Sequence, residues 1–514
     1  MTGAGPVESD ATGHAVRNPP GPSAFHVTRP GDGQPIPTGT NQPAERCDAS
    51  TGAPEEFVEQ TLYEVRKKIY PRAVTGWFAG WRWGMVWLTQ ALYYGVPWLG
   101  WNGRQAVLFD LGARKFYIFG LVFWPQDFIY LTVFLVIAAL SLFLFTAVAG
   151  RLFCGYACPQ TVYTEIFLWI EKKLEGDRNQ RIVLDRQPTN ARKFALKLTK
   201  HAIWISIGLW TGFTFVGYFT AIRDLWVEVG SWALGPWETF WILFYGFATY
   251  GNAGWMREQV CKYLCPYARF QSSMFDRDTM IITYDPDRGE PRGSRPRSAD
   301  PKAIGLGDCV DCGICVHACP TGIDIRNGLQ YECIGCAACI DGCNKVMDKW
   351  GYAHGLIRYS TTNAMAGKWT KRQMLRQAFR SRVLVYTAIL WTIIVAAGVA
   401  LYVRVPLKVD VIRDRSSLSR EVERGMIENV YRLQIMNTEE VAHRYRISAS
   451  GLHGLQVADE SLIETPAAAM ITVPVRLRIE SGTVPAGSHR IEFLVNALES
   501  DSIVAKEKSV FLVR

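Results

Sequence analysis

The sequence predicts a three-part chain: an integral-membrane α-helical bundle of five spans, a small cysteine-rich domain before the last span, and a C-terminal β-sandwich. Three observations predict it. Apolar residues gather in five blocks, eight of the 13 cysteines fall within residues 309–343, and the hydrophobic period changes to two after the last block. At 514 residues the chain has room for several domains. Its 49% hydrophobic content, with 18 Trp and 25 Phe, lies at the apolar end for a soluble protein. The net charge of +9 does not point to nucleic acid, because the Lys and Arg flank apolar blocks and no arginine-rich helix or aromatic RNA motif accompanies them.

Residues 1–70 read as a disordered cytoplasmic tail. The stretch 1–55 is rich in Gly, Pro, Thr and Ser and has too little apolar surface to fold, and Cys47 within it reads as a free thiol. No charged start followed by an apolar core is present, so no signal peptide is expected. The spans are expected at 77–101, 128–150, 202–222, 232–253 and 383–403, the first crowded with Trp and Tyr as interfacial anchors. Arg82 reads as a side chain snorkelling to the headgroups, and His201 as interfacial. The loop 151–200 carries ten Lys and Arg, whereas 223–231 carries only Arg223, so 151–200 is expected to be cytoplasmic. Alternation then places the N-terminus and 255–382 in the cytoplasm, and 404–514 in the periplasm of a Gram-negative cell. Residues 284–301 read as a solvated linker. Residues 351–382 form a basic connector containing Lys368, Lys371, Arg372, Arg376, Arg380 and Arg382.

Within the domain expected at 301–350, Cys309, Cys312, Cys315 and Cys319 are spaced by two, two and three residues and followed by Pro320. The spacing repeats at Cys333, Cys336, Cys339 and Cys343, with Asn344 in the proline position. In such a two-cluster bacterial ferredoxin run, three thiolates of one motif hold a 4Fe–4S cluster and the fourth crosses to the other. One cluster is therefore expected on Cys309, Cys312, Cys315 and Cys343, and the second on Cys333, Cys336, Cys339 and Cys319. Zinc is the competing ligand, but it usually takes two CxxC pairs across a longer gap. His317 reads as a spacer.

Two further pairs repeat each other, Cys154–Cys158–Pro159 and Cys261–Cys265–Pro266, each after a span that returns to the cytoplasm. CxxxC spacing is expected to put both sulfurs on one face of a helical turn, which the proline then ends. Two soft thiolates suit Cu(I), and four together suit a shared metal or cluster. Burial as small apolar residues is the plain alternative.

After the fifth span, Val473, Val475, Leu477 and Ile479 alternate with Pro474, Arg476, Arg478 and Glu480. Tyr431, Leu433 and Ile435 alternate with Arg432 and Gln434, and Ile491, Phe493 and Val495 share a face. Such short strands broken by Gly and Pro predict an immunoglobulin-like sandwich, here without cysteine, suited to docking a partner.

These strings, with GRLFCGYACPQTVYTE (150–165), REQVCKYLCPYARFQSSMFDRDT (257–279), CPTGIDIRNGLQYECIGC (319–336) and NVYRLQIMN (429–437), resemble the FixG/RdxA/CcoG family of membrane polyferredoxins linked to cbb-type cytochrome c oxidase assembly. The resemblance covers about residues 60–514. It implies a cupric reductase with two 4Fe–4S clusters and a copper ion, the copper held and reduced at Cys154, Cys158, Cys261 and Cys265. The implied partners are oxidase assembly factors, a copper exporter or chaperone, membrane lipid, and an unidentified donor, either a quinol or a cytoplasmic reductant. A homodimer is the default oligomer. NapH-type quinol dehydrogenase subunits are similar over a smaller part but lack the sandwich, so a quinol-linked relay is one competing reading. A redox-sensing assembly scaffold is another.

Overall fold

The computed structural model describes residues 68–514 except Lys302, Lys368, Ala378, 415–418, Glu423, Arg424, Glu460, Asp501 and Arg514. Most of the expected tail, with Cys47, and Lys368 of the basic connector lie outside the described residues. The end of that tail is held in place: Lys68 and Tyr70 both reach the Asp185 carboxylate at 2.6 Å.

Among the described residues two helices are long and apolar enough to cross a membrane, Pro125–Ala149 and Ser381–Tyr402, and they pack on each other. Only 0% and 11% of their most apolar windows are buried, so these surfaces need an apolar surrounding. The other three expected spans take different forms. The first is helical over Trp77–Gly95 only. Pro97 follows in a short 3₁₀ turn, and residues between 100 and 123 form small antiparallel strands. The third helix, Ala191–Val216, starts well before the expected boundary, where the Asn190 side chain accepts from the Lys193 N–H at 2.7 Å. The fourth, Pro236–Thr249, continues as a π-helix over Tyr250–Met256. Gly208, Gly212 and Gly246 let these last two backbones approach closely, since a Cβ at Gly212 would collide with the Ile242 carbonyl.

The cysteine-rich domain is built on helices Ile314–Ala318 and Ala338–Trp350 and on antiparallel strands Ile281–Tyr284 and Ile357–Ser360. Ile282, Ile325, Ala337, Ile340, Met347 and Ile357 form its core. Residues 284–301 are not a solvated linker. Asp285 caps a short helix at Pro286, Arg288 reaches Asp308 at 2.5 Å, and the buried Arg295 reaches the Tyr352 hydroxyl at 3.2 Å. The arginines that suggested solvent instead strap this segment across the cysteine loops.

The C-terminal segment is the expected sandwich, a five-stranded sheet facing a four-stranded one. Strand Met426–Asn437 pairs with Met470–Glu480 in antiparallel register, with Tyr431 opposite Val475 and Leu433 opposite Val473. Tyr431, Leu433, Ile435, Val475, Leu477, Phe493 and Val495 are almost wholly buried, as the alternation requires. Each such side chain contributes at most about 1.5–3 kcal/mol. Across the sheets, the Tyr431 hydroxyl donates to the Val510 carbonyl at 2.9 Å. The sandwich joins the helices at Asp127, a buried carboxylate that accepts from Arg404 at 2.7 Å and from Lys408.

Candidate functional site

The two CxxxCP elements fold alike. Cys154 lies in the short helix Leu152–Tyr156, and Cys261 in the π-helix Val260–Leu264. Cys158 and Cys265 are extended (ψ 128° and 107°) and precede the helices Pro159–Glu175 and Pro266–Ser273. Proline disfavours helix in the residue before it, yet its fixed φ suits the first position of a new helix. The expectation that both sulfurs share one helical turn is therefore wrong, because the turn stops before the second cysteine.

The two pairs come together. Burial pushes the Cys154 thiol up to about 12, with Cys158, Cys261 and Cys265 adding to the rise and Arg151 opposing it. Burial likewise pushes Cys261 up to about 11, with Cys158 and Cys265 adding. Without a bound cation these two thiols are neutral at pH 7, and a soft cation binding there must displace their protons. Cys154 and Cys261 pack against Ala318, Ile334, Cys336 and Ala338, which carry them onto the cysteine-rich domain.

The ferredoxin-type cysteines separate into two sets. Cys309, Cys312, Cys315 and Cys343 line one hollow. Cys319, Cys333, Cys336 and Cys339 line another, which Cys315 also borders. Cys343 lies with the cysteines of the first motif and Cys319 with those of the second, while Cys315 borders both hollows. Among the described residues no three His, Cys, Asp or Glu side chains are drawn around one point tightly enough for a single ion. Thiols gathered around each hollow fit a 4Fe–4S group, in which each sulfur meets a different iron. Burial raises Cys333 to about 11 and Cys336 to about 12, and backbone N–H groups of Gly335 and Ala338 oppose the rise by facing the sulfurs. Amides that favour the thiolate are also suited to stabilising a cluster.

Three features missed by sequence reasoning join these centres. The first is Arg151, which is buried and donates to the carbonyls of Tyr331 and Cys333 (2.9 Å to the latter). Its other nitrogen reaches the Ala268 carbonyl and the Ser272 hydroxyl, both at 2.6 Å. One guanidinium therefore ties the first CxxxCP element to the second and to a cluster loop. The second is Gly155, where a Cβ would lie 2.9 Å from the Gly335 carbonyl and the Ile334 oxygen. Only glycine allows the first CxxxCP turn to rest directly on the Cys333–Cys336 loop. The third is Arg82, which is buried rather than snorkelling. It donates to the Cys336 carbonyl at 2.7 Å and lies 3.8 Å from Glu165. A lone arginine in an apolar segment was the only sequence signal for it.

Behind Cys261, a buried carboxylate anchors the second element. Glu171 is reached by Arg181 at 2.8 Å, Arg257 at 3.1 Å and Lys200 at 3.4 Å. Burial alone would raise its pKa, but Arg257, Lys200 and Arg181 hold it down to about 2. Arg257 also lies over Trp204, which stacks on Phe167 at 5.0 Å. Arg257 has a φ of 43° and sits between the two π-helices, an irregularity typical of functional segments. His201 hydrogen-bonds Tyr250 at 3.1 Å and stacks on Trp255, away from the thiols. His317 lies on the short helix of the first motif.

Residues 256–362 match a family model described as a 4Fe-4S dicluster domain, and 131–176 match one described as a 4Fe-4S binding domain. Residues 397–514 match a model described as an IG-like fold at the C-terminus of FixG. The protein RdxA of Cereibacter sphaeroides is 38% identical over 444 residues, covering 84% of this chain and 92% of that protein. The nitrogen fixation protein FixG of Rhizobium meliloti is 38% identical over 423 residues, covering 76% of this chain and 80% of that protein. A solved FixG-related protein from Vibrio parahaemolyticus is 22% identical over 21% of this chain and 95% of its own, with a TM-score of 0.19.

Proposed function

The chain belongs to the FixG/RdxA family of iron–sulfur oxidoreductases, and from that premise we propose that it reduces Cu(II) to Cu(I) for assembly of a cbb-type cytochrome c oxidase. The observation that carries the reading is the packing of Cys154 and Cys261 against Ile334 and Cys336, with Cys158 and Cys265 near enough to act on both thiols and Gly155 leaving no side chain between the first pair and the Cys333–Cys336 loop. Cys309, Cys312, Cys315 and Cys343 would hold one 4Fe–4S group, and Cys333, Cys336, Cys339 and Cys319 the other. When bound, these groups supply one-electron storage at a potential set by their surroundings. Arg151 holds the loop and both CxxxCP elements at fixed separation. Cu(II), the substrate, takes one electron beside Cys154, Cys158, Cys261 and Cys265. The product Cu(I) is soft and is retained by those thiolates, which give up their protons as it binds. In this reading five spans place the cysteines on the cytoplasmic side and the sandwich in the periplasm, where it docks an assembly partner.

The test replaces Cys154 and Cys158 with Ala in the full-length protein. Clusters are first reduced with dithionite, excess reductant is removed, and Cu(II) is added anaerobically. Loss of copper binding and of cluster reoxidation, with iron content intact, is expected. Undiminished reoxidation and copper binding would refute the assigned site.

The family match over 131–176 includes Cys154 and Cys158 and favours a second reading, in which the four CxxxCP thiols hold a further iron–sulfur cluster. Iron analysis separates the two: about eight iron atoms per chain for copper handling, about twelve for a third 4Fe–4S group.

A further inference from the structure

A cavity beside these centres lies between the Trp77–Gly95 and Pro159–Glu175 helices. It opens beside Pro71–Thr75 and Lys172 and ends at Cys261 and Cys336. Its volume of about 440 Å³ is that of a small-molecule site. Trp83 and Trp169 pack edge to face at 6.1 Å in its wall. Trp87, also lining it, is 71% exposed on the helix surface. At its inner end stands Arg82, 6% exposed, with its Nε buried and lacking a hydrogen-bond partner. A buried donor left unpaired costs about 1–3 kcal/mol, so an acceptor from a ligand is what this atom lacks. The same guanidinium already donates to the Cys336 carbonyl at 2.7 Å, and Glu165 lies 3.8 Å from it.

We propose that this cavity binds the headgroup of a membrane hydroquinone, the two-electron donor of the cupric reductase reading, on which this inference rests. An aromatic wall reached from the exposed tryptophan surface accepts a flat ring carrying an apolar tail. Arg82 Nε donates to one ring oxygen and holds the ring beside Cys336. Glu165 accepts the proton of the hydroxyl being oxidised. The reaction balances as hydroquinone to quinone with loss of two protons and two electrons. Both O–H bonds break, and each proton passes to Glu165 and then to water at the Lys172 mouth. The two electrons leave singly to the two one-electron acceptors held by the eight ferredoxin-type cysteines, and from there reduce two Cu(II) to two Cu(I).

The experiment uses the full-length protein in nanodiscs of defined phospholipid. A photoactivatable azidoquinone is crosslinked and the labelled peptides are mapped. Label within 82–87 or 161–172, displaced by excess unlabelled quinol, is expected. Label elsewhere, or label displaced by phospholipid but not by quinol, would overturn the proposal, the latter assigning the cavity to a lipid headgroup. In parallel, Glu165→Gln is expected to slow quinol-driven bleaching of the cluster absorbance by about 10²-fold or more, the usual worth of a positioned base. Arg82→Lys is expected to weaken azidoquinone labelling while keeping the charge. Single-turnover Cu(II) reduction by pre-reduced protein is expected to be unchanged in Glu165→Gln. Normal quinol-driven bleaching in Glu165→Gln sinks the donor site alone, whereas failure of the pre-reduced wild type to reduce Cu(II) sinks the copper reading alone.

Discussion

Glu171→Gln is expected to destabilise the protein at neutral pH and to do so less as the pH falls. The carboxylate is only 2% exposed and accepts from Arg181, Arg257 and Lys200, so its interactions carry little solvent screening. Its pKa falls from 4.5 to about 2 in the fold. A shift of that size corresponds to about 3 kcal/mol at ~1.4 kcal/mol per unit. The figure agrees with the ~3–5 kcal/mol typical of removing one partner from a buried ion cluster. A carboxylate with a depressed pKa contributes its stability fully above about pH 4.5, and that stability is lost as the pH falls toward 2. The variant lacks the contribution at every pH, so the gap between the two proteins narrows over that window. Thermal unfolding of both proteins in one detergent, from pH 7 down to pH 3, measures it. Equal melting temperatures at pH 7, or a gap that widens on acidification, would refute the reasoning. Because Arg257 lies four residues before Cys261, copper binding is expected to weaken in the same variant even where the protein remains folded.

Two further outcomes follow from the geometry. Gly155→Ala places a methyl group 2.9 Å from the Gly335 and Ile334 carbonyls and is expected to cost about 1–3 kcal/mol by overpacking. Transfer of electrons to Cu(II) should slow with it while iron content is kept, whereas an unchanged rate and melting temperature would show that the loop yields freely. Cys343→Ser and Cys319→Ser are expected to disturb different clusters in the crossed sense. The EPR signal lost with Cys343→Ser should be the one also lost with Cys309→Ser, and loss of the signal tied to Cys333→Ser would reverse the assignment.

Much of this site is legible because its signals are local. The cysteine spacing alone predicts two groups of thiols, and two thiol-lined hollows are present; the alternation around Tyr431 and Val475 specifies the faces of the sandwich. The repeated CxxxCP elements predict two similar turns, and the structure brings their thiols together. What stayed hidden depends on partners far away in the chain. Arg82 meets a carbonyl 254 residues on, and Arg151 meets one 182 residues on, so neither leaves a periodic trace in its own neighbourhood. Composition also misled at 284–301, where arginines that usually face water reach inward to a carboxylate and a phenol. The first expected span was read too long because its tryptophans continue past Gly95, whereas Pro97 and the strands that follow end the helix.

Asp127 gives the molecule a mechanical line. It holds Arg404 and Lys408 at the root of the sandwich and is the residue immediately before the helix Phe128–Ala149. Two residues beyond the other end of that helix stands Arg151, gripping the cluster loop. A helix is stiff along its axis, so a pull on the sandwich has a continuous strut to run down, ending at the turn that carries Cys154. The sandwich and the thiol centre therefore stand at opposite ends of one helix.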